Sequence, residues 1–249
     1  MVNIGIMSEP KIKHCACVIH SNGYSWAYVD RLYSMLQANS HYKIQLHVFT
    51  EKDRSVPAPY IKHSLQEWPG VAGPKKSWWY KLQMFDPDNF AGDLLYMDLD
   101  VVITSNIDWI WCLGTQKFCS IRDFRYLWRP DWTGMNSSVM FWNTQKYKYV
   151  WDEFKSRGIT ATAQKFRGDQ DFLNTTIKQC DRRFFDQELI KSWRWQINEG
   201  GLDIKTRKSL FPGTGAHLDK STSIVVFHGS PKPHEINDSI IDRYWKFDK

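Results

Sequence analysis

The chain has 249 residues, enough for one large domain or two small ones and for a sizeable core. Hydrophobic residues make up 42% and charged residues 24%, with only 14 Gly and 10 Pro, a composition that excludes disordered, collagen-like and linker-dominated architectures. The 33 Lys and Arg against 27 Asp and Glu give a net charge of +6, which favours anionic partners without choosing among nucleotide phosphates, acidic glycans, nucleic acid or a membrane surface.

A first strand is predicted over residues 14–19, followed by turn residues Ser21, Asn22 and Gly23 and by a helix carrying Trp26, Val29, Leu32, Tyr33 and Leu36 on one face. A second strand over 43–49 alternates Ile44, Leu46 and Val48 and ends in the polar run Thr50 to Asp53. The opening is therefore β-α-β. Ligands of open α/β sheets bind beyond the carboxyl ends of such strands, which places His20 to Tyr24 and Thr50 to Asp53 beside any nucleotide. After Pro57, Pro59, Pro69 and Pro74, residues 77–85 read as helix, and Gly92 precedes a strand over 94–97 that runs into Asp98-Leu99-Asp100. The apolar pattern resumes at 101–104. Another strand follows at 139–142, a short helix at 170–177, and a last strand at 224–227 before His228-Gly229-Ser230-Pro231-Lys232-Pro233. No internal repeat, low-complexity segment or linker divides the chain, so a single α/β domain is expected.

No apolar run approaches the roughly 18 to 20 residues of a membrane span, and Met1 to Lys13 lacks the charged start, apolar stretch and cleavage site of a secretory leader, so a cytoplasmic location is expected. Five cysteines, Cys15, Cys17, Cys112, Cys119 and Cys180, include no Cys-x-x-Cys spacing and read as reduced, mostly core thiols. The 13 tryptophans serve packing first, with stacking of sugars or bases as their second use.

Asp98 and Asp100 stand two apart at a strand end, so an extended backbone would point both carboxylates to one side. Their repulsion is relieved by a hard divalent cation, Mg²⁺ or Mn²⁺, which keeps coordination positions open for substrate phosphates. The alternative is a solvated turn.

Tyr80-Lys81-Leu82 followed by Leu95-Tyr96-Met97-Asp98-Leu99-Asp100 resembles the Asp-x-Asp glycosyltransferases of the GT-A fold. Three later segments come in the order shown by glycosyltransferase family 8 and its bacterial or phage relatives: Asn136-Ser137-Ser138-Val139-Met140, Gly168-Asp169-Gln170-Asp171 and His228-Gly229-Ser230-Pro231-Lys232-Pro233. The resemblance covers roughly residues 14–235. It implies a Rossmann-like domain with a central mixed sheet flanked by helices, a nucleotide-binding half over about 14–130, an acceptor and catalytic half over 131–235, and a tail from 236. It implies that Asp98, Asp100 and His228 bind Mn²⁺ (or Mg²⁺), which grips the diphosphate of a nucleotide sugar, most readily a UDP-sugar. Lys232 reaches the same phosphates, and Lys81, rather than the solvated Lys75 or Lys76, is the basic residue near the donor. Asn136, Ser137 and Asp171 help bind the substrates, Asp169 contacts donor or acceptor hydroxyls, and Gln170 lies close to the anomeric carbon. As residues opening a helix, Asp169 and Asp171 also read as an N-cap and a favourable first-turn charge. Family 8 enzymes retain the anomeric configuration, and a carboxamide such as Gln170 is too weak a nucleophile for an ordinary double displacement. The late motif is shorter than the family's His-x-Gly-x-x-Lys-Pro-Trp, and His234 stands where Trp is usual.

The acceptor is left open among a glycan, a lipid-linked molecule and nucleic acid. Two other functions remain as alternatives. Asp98 resembles the nucleophile of an Asp-x-Asp phosphatase, although the pair follows two earlier strands and no Asp-Asp comes later. A non-catalytic carbohydrate or nucleic-acid binder would use Trp78, Trp79, Trp128, Trp132, Trp193 and Trp195. The tail from Ile240, with Arg243, Lys246 and Lys249 among Tyr244, Trp245 and Phe247, would pack on the domain or make a weak peripheral contact with an anionic membrane.

Overall fold

A computed structural model describes residues 11–72, 76–203, 205–206, 208 and 215–245. The β-branched and aromatic runs form ten strands: β1 (Ile12–Val18), β2 (Lys43–Thr50), β3 (Ile61–Ser64), β4 (Asp93–Met97), β5 (Val101–Ile103), β6 (Phe118–Arg122), β7 (Met135–Asn143), β8 (Arg182–Phe184), β9 (Ile190–Ser192) and β10 (Ile224–Val226). The helices are α1 (Trp26–Ala38), α2 (Trp109–Cys112), α3 (Lys148–Lys165), α4 (Asp169–Thr176) and α5 (Ser239–Tyr244). Seven strands form a mixed sheet in the order β3-β2-β1-β4-β7-β6-β8, in which β7 alone runs antiparallel to its neighbours. A smaller sheet, β5-β10-β9, stands beside it.

The period of two along the strands divides the core. Cys15 and Cys17 of β1 and Leu95 and Met97 of β4 enter a cluster closed by α1, the small sheet and α5. Ala16, Leu94 and Tyr96 enter the other, closed by the segment 77–85, α3 and α4. The expected mixed sheet with helices on both faces is what forms. Residues 77–85 wind as a 3-10 helix rather than an α-helix, with Trp79 to Phe85 all buried. The unexpected α3 buries only Val150, Trp151, Phe154 and Thr162, and it is interrupted at Gly158, whose φ of 73° lies in the left-handed region that glycine tolerates.

Cys15, Cys17 and Cys119 are core thiols, whereas Cys112 and Cys180 are exposed, because α2 and the turn at 179–181 present them outward. In the tail, Ile240, Ile241 and Trp245 are buried, with Trp245 edge-on to Tyr28 and Arg31 over its ring. Lys246, Phe247 and Lys249 lie outside the described residues, as does Lys75. Among the described residues no helix is long and apolar enough to cross a membrane. Across β1, β2 and β3 runs a chain of imidazoles: His14 Nδ1 to His47 Nε2 at 2.9 Å, and His47 Nδ1 to His63 Nε2 at 2.8 Å.

Candidate functional site

The topology brings distant parts of the sequence to one edge of the large sheet. Parallel β1 and β4 end there, delivering His20 and Tyr24 on one side and Asp98 to Asp100 on the other. Antiparallel β7 starts at the same edge, so Asn136 to Ser138 lie beside Asp98, whose N–H donates to the Ser138 carbonyl at 2.8 Å. In the small sheet β10 pairs with β5, Val226 opposite Val101, and the Phe227 N–H donates to the Asp100 carbonyl at 3.3 Å, which sets His228 next to the acidic pair. The start of α4 brings Asp169 and Gln170, and the 3-10 helix brings Trp78 and Lys81. The backbone at Asp98 to Asp100 is a turn closed by the Val101 N–H on the Asp98 carbonyl at 3.3 Å, not the expected extended segment, yet both carboxylates face the same cavity.

That cavity, of about 400 Å³, is bordered by Lys81, Asp98, Asp100, Asn136, Ser137, Asp169, Gln170, His228 and Lys232, nine of the ten expected site residues. Asp171 is the exception: one residue past Gln170 on α4, it faces a neighbouring cavity of about 630 Å³. Gly168, not Asp169, is the N-cap of α4, and Asp169 and Asp171 both fall in its first turn. Lys76 is exposed just ahead of the 3-10 helix. Thr50 to Asp53 do not border the cavity, since Glu51 is engaged by Thr50, the Ser21 N–H and Arg54.

The site is a buried lattice of opposite charges. Lys81 Nζ lies 2.7 Å from Asp98 Oδ1 and 3.6 Å from Asp169 Oδ2. Burial works against the Lys81 ammonium, but Asp169, Asp98 and Asp100 overcome it and hold its pKa above the ordinary lysine value. Asp100 Oδ2 accepts from Tyr24 Oη at 2.9 Å and from Lys232 Nζ, and Asp98 Oδ1 accepts from Tyr96 Oη at 2.5 Å. Burial, then the neighbouring Asp98, raise the Asp100 pKa against the pull of Lys232. Asp169 is raised by burial against Lys81 and the Ser137 hydroxyl, and its buried Oδ2 has no hydrogen-bond partner. A buried carboxylate oxygen without a donor is costly, and a ligand hydroxyl would satisfy it.

The group implied by the resemblance is a divalent cation. As the side chains lie, no three His, Cys, Asp or Glu among the described residues come together around one point. The donor chemistry nonetheless suits a hard cation. Asp98 and Asp100 each keep a carboxylate oxygen without a hydrogen-bond partner among the described residues. His228 Nε2 is 2.7 Å from Ser192 Oγ while Nδ1 has no such partner, and burial, with Arg194 and Lys232, lowers its pKa to about 4, keeping it in the neutral form that ligates metals.

Sequence reasoning named Tyr24 only within the run His20 to Tyr24 beside a nucleotide, and singled out neither Tyr96 nor Asp123 as a site residue. Tyr24 and Tyr96 bind the acidic pair, and Asp123, at the end of β6, accepts from Gln170 Nε2 at 2.8 Å. Gln170 borders both cavities, so this hydrogen bond fixes the amide at the wall between them. The order of strands announces none of these, although Tyr96 sits two residues ahead of Asp98 on the same face of β4.

No protein-family model matches the chain, and no curated protein matches it in sequence. Several solved structures share its fold. The galactosyltransferase LgtC, in complex with donor and acceptor sugar analogues, is 15% identical, with 89% of each chain covered and a TM-score of 0.62. The glycosyltransferase GlyE of Streptococcus pneumoniae TIGR4 is 13% identical over 95% of this chain and 60% of its own, with a TM-score of 0.61. Mouse xyloside xylosyltransferase 1 is 13% identical over 88% of this chain and 98% of its own, with a TM-score of 0.53. At such identities the likeness is one of fold: a single α/β domain of the GT-A type.

Proposed function

We propose that the chain is a metal-dependent glycosyltransferase that moves a sugar from a nucleotide-sugar donor, with UDP as its nucleotide, to an acceptor hydroxyl. The observation that carries this reading is the convergence of five separated segments, around Lys81, Asp98, Asn136, Asp169 and His228, on one cavity. Asp98, Asp100 and His228 would hold Mn²⁺ or Mg²⁺, which would supply Lewis-acid chemistry toward the diphosphate of the donor. Lys232, which is ion-paired with Asp100, would bind the phosphates beside it. Asn136, Ser137 and Asp169, whose Oδ2 accepts no hydrogen bond, take donor sugar hydroxyls. LgtC, which shares the fold, was solved in complex with donor and acceptor sugar analogues.

Gln170 is placed to border the anomeric carbon. Its amide is already committed to Asp123, and a carboxamide does not sustain a covalent double displacement. The family resemblance implies retention of configuration, which without a double displacement would proceed by front-face attack. The acceptor oxygen bonds to the anomeric carbon on the face from which the diphosphate oxygen departs, and the acceptor proton passes to that phosphate.

Thermal-shift titration with UDP, GDP, CDP and ADP, each with and without Mn²⁺, tests the reading, because a ligand that binds only the folded chain raises its stability by mass action. A Mn²⁺-dependent shift with UDP is expected. No shift with any nucleotide would refute the reading, and NMR of the product showing inversion would remove the retaining step.

A further inference from the structure

The His228 side of the cavity continues outward as a row of aromatic rings that the donor chemistry does not use. Phe124 stacks on His228 with ring centroids 5.2 Å apart and planes at 20°, and Trp195 lies 6.2 Å from His228 at 29°. Trp128 then meets Trp195 at 5.7 Å, its plane turned by 59°. Trp128 and its neighbour Leu127 are each 37% exposed, two of the four large apolar side chains left exposed among the described residues. Trp128 is joined to the cavity-lining His228 through Trp195, and adjacent large apolar side chains left exposed beside a site are a mark of a binding surface. Charge accompanies it. Arg194 lies over the Trp195 ring at 5.0 Å, and its Nη1 is 3.9 Å from where a side chain on Gly229 would begin. Neither Arg194 nor the exposed Arg129 forms an ion pair with any carboxylate among the described residues.

We propose that this row docks the acceptor, and that the acceptor is a carbohydrate chain bearing acidic groups, its rings on Trp128 and Trp195 and its anions on Arg129 and Arg194. The inference rests on the transferase reading above and deepens it. Sugar rings present C–H faces that stack on indoles, and successive units of an oligosaccharide change orientation, as the two indole planes do. Successive bases of a single strand stack best on near-parallel platforms, which the 59° turn interrupts. Guanidiniums without an ion pair among the described residues add charge complementarity and favour acidic over neutral sugars.

The test is a tryptophan-fluorescence titration of the full chain with UDP and Mn²⁺ present at fixed ionic strength. The probes are tetragalacturonate, α2,8-linked tetrasialic acid, maltotetraose and a short oligothymidylate. At least one acidic saccharide is expected to bind about tenfold tighter than maltotetraose, and Trp128→Ala and Arg194→Gln are each expected to lose about tenfold or more of that affinity. Trp128→Ala should keep the thermal shift produced by UDP and Mn²⁺. Equal binding of acidic and neutral saccharides, unchanged affinity in Trp128→Ala, or tighter binding of oligothymidylate would each overturn the proposal. If the UDP shift is present and no acidic saccharide binds, the acceptor assignment alone fails; if the wild-type chain shows no nucleotide shift, the transferase reading fails with it.

Discussion

Replacing Lys81 by methionine keeps a stem of similar length and removes the charge that binds two carboxylates together. Its ammonium is 2.7 Å from Asp98 and 3.6 Å from Asp169, and its side chain is 8% exposed. At an effective dielectric of about 20 these pairs correspond to about 6 and about 5 kcal/mol of attraction, most of it offset by the cost of burying the charges. What the substitution exposes is the other side of that balance, buried carboxylates without a counterion, a loss of about 3 to 5 kcal/mol. The pH dependence gives it a signature. Asp169 already has a raised pKa, and without Lys81 it rises further. A carboxyl whose folded pKa exceeds its unfolded value binds protons better when folded, so the variant loses stability as pH rises from about 4 through the raised value. Urea unfolding followed by tryptophan fluorescence should therefore show a larger deficit at about pH 8 than at about pH 5. A deficit below about 1 kcal/mol, equal at both pH values, would show that Lys81 is not the counterion the geometry makes it.

The remaining predictions concern ligands, backbone and acid. Asp100→Ala should fold yet lose Mn²⁺-dependent UDP binding by calorimetry, and unchanged affinity would count against Asp100 as a ligand. Gln170→Ala should keep donor binding while turnover falls about a hundredfold or more in a donor-consumption assay; loss of both together would make Gln170 structural. Gly229→Ala should cost about 1 kcal/mol of unfolding free energy, since its φ of 79° is a region side chains avoid, and should weaken UDP binding at the turn after His228. Burial, then His63 and His14, lower the His47 pKa to about 3, so the unfolded chain takes up its proton first as acid is added. That residue alone should remove about 2 kcal/mol of stability between about pH 7 and about pH 5, a loss that His47→Gln should lack in parallel urea titrations.

The strands legible in the sequence were β1 and β2, read from alternation and a polar strand end, and β4, β5, β7 and β10, read from short unbroken apolar runs. β6, with the mixed sequence Phe118-Cys119-Ser120-Ile121-Arg122, gave no period, and β8 and β9 are three residues each, too short to show one. Helix α3 escaped because its apolar residues crowd into its first half, before Gly158 breaks it. Asp98 and Asp100 were legible from their spacing at a strand end, whereas the other residues bordering the cavity were named through motifs that resemble a known family. Asp171 was misplaced because adjacent residues of a helix point about 100° apart, enough to put Gln170 and Asp171 in different cavities. Asp123 meets the site only through the folding of the segment after β6, which leaves no mark in local sequence, whereas Trp128 and Trp195 were legible as aromatic candidates without their place beside His228.

The lysines set against the acidic pair also uncouple assembly of the domain from its loading. In a structural zinc site the free energy of binding is free energy of folding, and a chelator denatures the protein. Here Lys232 and Lys81 compensate Asp100 and Asp98 from within the chain. Exhaustive dialysis against EDTA should leave circular dichroism and the midpoint of thermal unfolding in place. A single stripped preparation can then be supplied with Mn²⁺, Mg²⁺, Co²⁺ or Ca²⁺ in turn, and differences among the ions will report on the cavity rather than on the fraction of folded molecules.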